Sequence, residues 1–302
     1  MYLTRRELLE LGLAAVTTSA AARRAFAQPS PLVTKRIPAT GERVPVIGLG
    51  TRNYRAGSDP AELAPYRETL KAFIEHGGTV VDTAPSYGNS ESILGTLIAE
   101  LGVRDKIFLA TKVDRAGREE GIGRMNASMA ALKSPKVDLM QVHNLRDTAN
   151  QLATLREWKA AGKVRLLGVT TSSDDQYAEL EKILGAEKLD FIQVDYALDS
   201  RDADARLLPM ALDKGVAVLI NLPFGRGRLF QALGSKPLPD YAKEIQCTTW
   251  AQFALKYVAA HPAITAAIPG MTKPHHAVEN MAAARGAMPD AAMRKRMEQV
   301  LA

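Results

Sequence analysis

Four titratable residues in the first half of the chain stand at or near the ends of short apolar runs. Asp82 lies near the end of one run, and Tyr87 follows it five residues later. Lys112 and His143 close the next two runs. A buried lysine without a partner is costly, so we expect Lys112 to form an ion pair with Asp82. The ammonium stabilises a phenolate, which makes Tyr87 a candidate general acid, and His143 can hydrogen-bond the oxygen that receives the proton.

Each of these residues also has a structural explanation when it is taken alone. The Asp could stand in a turn, the Tyr at a loop rim, the Lys could reach solvent, and the His could be satisfied in the core. Their placement on the ends of consecutive runs favours one shared site for proton transfer. The fold must therefore bring three strand ends to the same edge of a sheet.

Short β-rich runs recur along the chain and alternate with helical patterns. The predicted strands are residues 46–51, 79–84, 107–112, 137–144, 164–171, 191–196, 216–223 and 265–270. Several runs are almost wholly apolar, as expected of parallel strands that are buried on both faces. Eight β/α units in about 250 residues predict a single-domain α/β protein with a (β/α)8 TIM barrel, whose active site lies at the C-terminal strand ends. An open doubly wound sheet is the competing architecture.

Two segments outside the repeating units bear on the site. Residues 35–45, with Gly41 between two short runs, predict a small N-terminal hairpin before the first strand, in a position to plug the barrel floor. A loop at residues 224–246 contains Gly and Pro and precedes a predicted helix at residues 249–259. Long loops of this kind often cover sites.

Several segments resemble the aldo-keto reductase family, in the order in which that family has them. Residues 79–91, TVVDTAPSYGNSE, are similar to its second-strand signature, and residues 110–112 and 141–144 resemble its Lys and His segments. The likeness covers residues 35–290. It continues through GVTT at 168–171, IQVDY at 192–196, LPFGRG at 222–227, IPG at 268–270 and EN at 279–280.

The resemblance implies a metal-free oxidoreductase that reduces aldehydes or ketones to alcohols, or runs in reverse, with NADP(H) or less often NAD(H). In that family a Tyr protonates the carbonyl oxygen, a role that falls on Tyr87. Lys112 and Asp82 tune the Tyr, and His143 orients the carbonyl. The implied cofactor-binding residues are Thr51, Thr170, Thr171, Gln193, Phe224, Arg226, Lys273, His276, Glu279 and Asn280.

The phosphate end of the cofactor can also be argued physically. Barrels commonly bind phosphate at the loop after strand seven and at the helix that follows strand eight. Arg226 in the first place offers a guanidinium fork, and Lys273 and His276 in the second are candidates for the 2′-phosphate. The alternative is that Arg226 and Lys273 are solvated loop charges.

The chain departs from the family at three places. Many members have an aromatic residue at the end of strand seven that stacks on the nicotinamide, whereas this chain has Asn221, so Phe224 is a candidate for stacking. Many have a Trp after strand one, where this chain reads RNY at 52–54, and a basic residue after the last strand, where it has Gly270. Cofactor choice and substrate preference therefore stay open.

Composition excludes several classes of protein. The 302 residues are 46% hydrophobic and 24% charged, which is globular and neither disordered nor fibrous. The formal charge of +6 is spread along the chain, so nucleic-acid binding is not predicted. The single cysteine, Cys247, and five histidines without a Cys-x-x-Cys motif predict neither an internal disulfide nor a metal site.

The N-terminal segment has the features of an export signal. Arg5 and Arg6 precede an apolar stretch at residues 11–22, which is shorter than the roughly 20 residues of a membrane span, and Ala25-Phe26-Ala27 supplies a small-x-small cleavage site. We expect residues 1–27 to be a twin-arginine signal peptide, cleaved after about Ala27, with no stable membrane span. The twin-arginine translocase would then export residues 28–302 folded to the periplasm. The alternative is an amphipathic helix packed on the domain.

Two other functions compete with a carbonyl reductase that acts on a small carbonyl or alcohol substrate. One is a non-enzymatic protein that binds a nicotinamide nucleotide, or senses it, on the same fold; the complete set of four titratable residues argues against it. The other is a metal hydrolase on the same barrel, but the paired His and carboxylate ligands that such sites need are missing from the strand ends.

Overall fold

The computed structural model describes residues 30–57 and 59–301. The predicted signal peptide, residues 1–27, lies outside the described residues. From Leu32 onward the chain forms one compact unit.

An antiparallel hairpin opens this unit. Its strands are β1 (Thr34–Arg36) and β2 (Arg43–Pro45), which pair along their whole length. Ile37 and Val44 are buried among the side chains that fill the barrel interior, which include Phe108, Phe191 and Leu166. The hairpin therefore plugs one end of the barrel, as its sequence predicts.

Eight parallel strands follow, and each pairs with the next one along the chain. They are β3 (Leu49–Gly50), β4 (Val80–Asp82), β5 (Phe108–Val113), β6 (Val137–His143), β7 (Val164–Thr170), β8 (Phe191–Asp195), β9 (Ala217–Asn221) and β10 (Ala266–Ala267). Parallel bridges from Ile47 to Ala267 and from Gly50 to Gly270 join the first strand to the last. The sheet is thus a closed (β/α)8 barrel, its strands coincide with the eight predicted runs, and the doubly wound alternative is excluded.

Helices cover the outside of the barrel. They are α1 (Pro60–Glu75), α2 (Ser90–Leu101), α3 (Arg118–Ala131), α4 (Thr148–Ala160), α5 (Tyr177–Ala186), α6 (Leu207–Asp213), α7 (Arg228–Leu233), α8 (Trp250–Ala259), α9 (Pro274–Ala282) and α10 (Ala291–Glu298). Local sequence explains their ends. The Asp59 side chain accepts from the Ala61 N–H at 2.8 Å and caps α1, and Gly102 takes the left-handed conformation that ends α2, with φ 62°.

The loop predicted at residues 224–246 is not structureless. It contains α7 between two short 3-10 segments, Gly225–Gly227 and Asp240–Ile245, and leads into α8. Among the described residues, no helix is long and apolar enough to cross a membrane.

Candidate active site

A buried ion pair joins the ends of β4 and β5. The Lys112 ammonium donates to both carboxylate oxygens of Asp82, at 2.8 and 2.7 Å, and to the carbonyl oxygen of Thr83 at 2.8 Å. Lys112 is 1% exposed and Asp82 2%. Burial opposes the charge on Lys112, but the charges of Asp82 and Tyr87 outweigh it and raise the lysine pKa above its ordinary value. The predicted ion pair is present, and the ammonium keeps its proton at neutral pH.

Tyr87 lies against this ammonium on the loop after β4. The Lys112 Nζ is 5.3 Å from the centroid of the Tyr87 ring. The ring meets His143 edge-on, with centroids 6.1 Å apart and planes at 83°. The Arg55 guanidinium donates to the Tyr87 carbonyl oxygen at 2.7 Å, and to the carbonyl oxygens of Arg52 and Tyr54. Arg55 therefore ties the Tyr87 loop to the loop after β3.

His143 closes β6 beside the same ammonium. Burial, together with the charge of Lys112, lowers its pKa to about 3, so the imidazole is neutral at physiological pH. Its Nδ1 lies 3.4 Å from the Ser86 hydroxyl. When that hydroxyl donates to Nδ1, the proton of the neutral ring is on Nε2, which can donate to a ligand.

These four residues line one cavity of about 600 Å³ at the C-terminal ends of the strands. Five of the predicted cofactor residues line it too: Thr51, Thr170, Gln193, Phe224 and Arg226. Thr171 does not. Successive residues of a strand point to opposite sides, and the Thr171 hydroxyl instead donates to the Gln176 amide oxygen at 2.5 Å.

The remaining predicted cofactor residues lie on α9 or directly before it. Gly270 lines the cavity, and α9 begins four residues later. Lys273 and His276 lie at the start of this helix, Glu279 and Asn280 lie in its second half, and none of the four lines the cavity. Lys273 is exposed, and Asn280 is buried.

Comparison with known proteins decides the family. The sequence profile of the Aldo/keto reductase family matches residues 46–301. The chain belongs to the aldo/keto reductase family.

Known relatives agree with this assignment. Aldo-keto reductase YhdN of Bacillus subtilis is 32% identical over 212 residues, which are 63% of this chain and only 61% of that protein, less than two thirds of its length. Methylglyoxal reductase YeaE of Escherichia coli is 29% identical over 246 residues, 79% of this chain and 85% of that protein. The structure of an aldo-keto reductase from Klebsiella pneumoniae in complex with NADPH superposes with a TM-score of 0.73 at 27% identity. The superposition covers 89% of this chain and 95% of the Klebsiella chain. This aldo/keto reductase is therefore an NAD(P)-dependent oxidoreductase.

The side chains of this reductase fit a nicotinamide carboxamide. The Asn221 amide nitrogen donates to the Thr171 carbonyl oxygen at 3.0 Å, but its buried Oδ1 has no hydrogen-bond partner in the described part of the chain. Thr170 and Gln193 line the same cavity, and a bound carboxamide would supply the donor that Asn221 lacks. Phe224 packs on Phe230, with centroids 5.1 Å apart, and adds an apolar wall.

Other cavity residues of the reductase escaped the sequence reasoning. Arg52, Asn144 and Ser172 line the cavity and follow β3, β6 and β7 within two residues. The rule that identified His143, a polar residue at the end of a strand, applies equally to them. No comparable signal exists for Arg55, whose role depends on a contact with a distant loop.

Proposed function

We propose that this enzyme reduces small aldehydes or ketones to alcohols with NADPH, or runs in reverse, and that Tyr87 is its general acid. The observation that carries the proposal is the convergence of Tyr87, His143 and the Lys112–Asp82 ion pair on one cavity. The E. coli relative named as a methylglyoxal reductase supports a carbonyl substrate.

The four side chains divide the work of protonating the carbonyl oxygen. NADPH, when bound, supplies the hydride equivalent that the carbonyl carbon receives. His143 donates through Nε2–H to the carbonyl oxygen and orients it. Tyr87 then transfers its hydroxyl proton to the same oxygen, which gives the alcohol, and the Lys112 ammonium stabilises the phenolate. Asp82 holds the ammonium in place, and solvent returns a proton to Tyr87.

The proposal includes a preference for NADPH over NADH. Arg226 lines the cavity, and Lys273 and His276 lie where α9 begins, so cationic and hydrogen-bonding groups are available for the additional phosphate. Replacing Lys273 by Met should reduce the ratio of kcat/KM for NADPH over NADH about tenfold. A ratio that stays unchanged contradicts the role of Lys273.

Tyr87→Phe tests the general acid. Turnover should fall by about 1,000-fold or more, because the proton donor is lost. NADPH affinity, from quenching of protein fluorescence, should change less than about threefold, because the phenol hydroxyl serves the reaction and not cofactor binding. Tyr241→Phe removes a hydroxyl from a half-buried tyrosine outside the cavity and is the matched control. A Tyr87→Phe enzyme that keeps a tenth of its turnover overturns the assignment.

We also propose that residues 1–27 direct export of the folded enzyme to the periplasm through the twin-arginine translocase. The Arg5-Arg6 pair, the short apolar stretch and the Ala25-Phe26-Ala27 site support this. The mature enzyme, residues 28–302, must then bring its nucleotide from the cytoplasm.

Cell fractionation with native mass spectrometry tests both parts of this export proposal. The periplasmic fraction should contain a chain that begins at Gln28 with a retained nucleotide. Changing Arg5 and Arg6 together to Lys should leave the full-length chain in the cytoplasm, whereas changing Arg23 and Arg24 should not. Wild-type protein that stays in the cytoplasm with residues 1–27 still attached contradicts export.

A further inference from the structure

An exposed arginine lies at the mouth of the active site. Arg52 follows β3 and lines the cavity with Tyr87 and His143. No carboxylate within residues 30–57 or 59–301 pairs with its guanidinium. Its charge reaches His143, where it acts in the same direction as burial and Lys112 to lower the imidazole pKa. Arg52 therefore offers a positive charge beside the reacting groups.

A second arginine, Arg146, lines a smaller cavity that also borders His143. A cavity of about 420 Å³ shares His143 and Asn144 with the main cavity and is lined also by Ser86 and Arg146. Arg146 is exposed, and the described part of the chain places no acidic partner on its side chain. The two arginines thus flank the imidazole that would orient the carbonyl.

The acidic residues nearby do not cancel these charges. Asp114 lines the smaller cavity, but it already accepts from the Arg115 guanidinium at 3.0 Å and from the Arg124 guanidinium at 2.9 Å. Asp82 is held by Lys112 at 2.7 Å. The mouth of the site consequently carries a net positive charge next to Tyr87.

Arg52 and Arg146 are distinct from the candidate phosphate residues in their places along the barrel. Arg52 and Arg146 follow β3 and β6, which lie on either side of the strands that carry Asp82 and Lys112. The candidate phosphate residues, Arg226 and Lys273, follow β9 and β10. Arg146 follows a strand that pairs with neither β9 nor β10, whereas Arg52 follows β3, which is joined to the end of the last strand through Gly50 and Gly270. Arg52 is available to the substrate because it lines the cavity beside Tyr87 and His143.

We infer that the preferred substrate is a carbonyl compound that carries a carboxylate, and that Arg52 binds this carboxylate. The inference rests on the proposed function. A planar guanidinium pairs with a carboxylate through two parallel hydrogen bonds, which fixes the orientation of the substrate as well as its affinity. Arg146 adds to the attraction from the adjoining cavity.

Matched pairs of substrates test the inference. For the wild-type enzyme, kcat/KM for 4-oxobutanoate should exceed that for its methyl ester by about 10- to 100-fold, because the two differ in the charge that Arg52 recognises. Arg52→Gln should bring this ratio close to one, and Arg146→Gln should reduce it by about threefold. Glyceraldehyde 3-phosphate and glyceraldehyde form a second pair that reports on phosphate.

A binding measurement gives a readout that is independent of turnover. Calorimetric titration with butanoate, which cannot react, should show an affinity that falls about tenfold or more in Arg52→Gln. Arg36→Gln is the matched control, because Arg36 is exposed on β1 at the plugged end of the barrel and its loss changes the net charge equally. The control should leave both the affinity and the substrate ratio unchanged.

Two outcomes contradict the inference, and a third, distinguishable from them, contradicts the proposed function. Equal rates for the acid and the ester overturn the carboxylate preference but leave the proposed function intact. A larger ratio for the phosphate pair than for the carboxylate pair overturns the choice of carboxylate. Failure of the wild-type enzyme to oxidise NADPH with any of these aldehydes, while butanoate still binds through Arg52, instead contradicts the proposed function.

Discussion

Two clusters of buried polar side chains in this protein contain the same kinds of residue and differ in what surrounds them. The first, the candidate catalytic cluster, is Asp82, Tyr87, Lys112 and His143, which face the cavity. The tyrosine cluster is Tyr196, Tyr257, Asp204, His261 and Arg294. Both combine tyrosine, histidine, an acid and a cation.

In the tyrosine cluster, protein groups occupy the tyrosine hydroxyls. The Tyr196 hydroxyl lies 3.1 Å from that of Tyr257, donates to Asp204 at 3.2 Å and accepts from Arg294 at 2.7 Å. The Tyr257 hydroxyl donates to Glu298 at 2.7 Å. Burial raises the pKa of Tyr196 to about 12. Such a phenol keeps its proton and contributes to stability.

The candidate catalytic cluster uses similar groups for a different purpose. Tyr87 is half-buried and faces both a cavity and an ammonium that Asp82 holds in place. Residue type alone therefore does not decide whether a side chain has a structural or a chemical role. Access to a ligand and a preorganised charge next to the phenol decide it. Substitutions in the two clusters should therefore separate activity from stability.

Lys112→Met should have the largest effect, because Lys112 contributes both to stability and to the proposed proton transfer. Its loss leaves Asp82 buried without a partner, which should cost about 3–5 kcal/mol of unfolding free energy. Turnover should fall by about 1,000-fold, because the phenolate loses its stabilising charge. Urea unfolding and NADPH oxidation measure the two effects.

Lys256→Met is the matched control for that experiment. Lys256 is also 1% exposed, but its ammonium donates to the carbonyl oxygens of residues 285 and 287, at 2.6 and 2.7 Å. This variant should lose stability and keep the turnover of each folded molecule. Equal losses of turnover in both lysine variants would mean that unfolding, and not the charge beside Tyr87, explains the result.

The ion pair of Lys112 with Asp82 was predictable for a physical reason. An apolar run that ends in lysine buries that lysine, and the desolvation penalty then demands an acid nearby, which Asp82 on the adjacent strand provides. The barrel was predictable for a related reason, since parallel strands covered on both faces must be apolar throughout. These are rules about burial that a sequence expresses locally.

Other features depend on contacts that a single sequence does not express. Arg146 lines the smaller cavity beside His143 after a tight turn, in which Asn144 and Leu145 adopt left-handed conformations, with φ 52° and 53°, which non-glycine residues rarely take. Closure of the barrel depends on the pairing of Gly50 with Gly270, at opposite ends of the domain. The prediction that both Thr170 and Thr171 bind the cofactor, in contrast, overlooked strand alternation, which places neighbouring side chains on opposite faces.

Tyr257→Phe should lower stability and leave turnover nearly unchanged, which is the reverse of the result expected for Tyr87→Phe. Removing this hydroxyl takes the donor from Glu298 and one of three partners from the Tyr196 hydroxyl, so the free energy of unfolding should fall by about 1–3 kcal/mol. The kcat of each folded molecule should stay within about twofold of the wild type, because the hydroxyl lies outside the cavity. A large loss of kcat at unchanged stability would remove the distinction between the clusters.

The pH dependence of stability tests the environment of His143. In the unfolded chain this imidazole binds a proton near pH 6.5, whereas in the folded protein it does so only near pH 3. The unfolded state therefore binds more protons as the pH falls through this window, and the folded state loses stability. His143→Gln removes this contribution, so below pH 6 the wild type should lose up to about 1.4 kcal/mol per pH unit more than the variant. Parallel curves in urea titrations from pH 4 to 7 would contradict a neutral, buried His143.

Ser86→Ala should have the smallest effect and addresses the direction of the imidazole proton. The Ser86 hydroxyl is exposed and its contact with Nδ1 is long, at 3.4 Å, so its loss should reduce kcat/KM only about threefold and leave stability unchanged. The change matters because a proton on Nδ1 leaves Nε2 unable to donate to a carbonyl oxygen. Nitrogen NMR of His143 should therefore show mainly the Nε2–H tautomer in the wild type and a mixture in Ser86→Ala. Ser92→Ala, on an exposed position of α2, should change neither the spectrum nor the rate. If the wild-type ring already carries its proton on Nδ1, Ser86 does not orient it, and His143 must bind the carbonyl in another way.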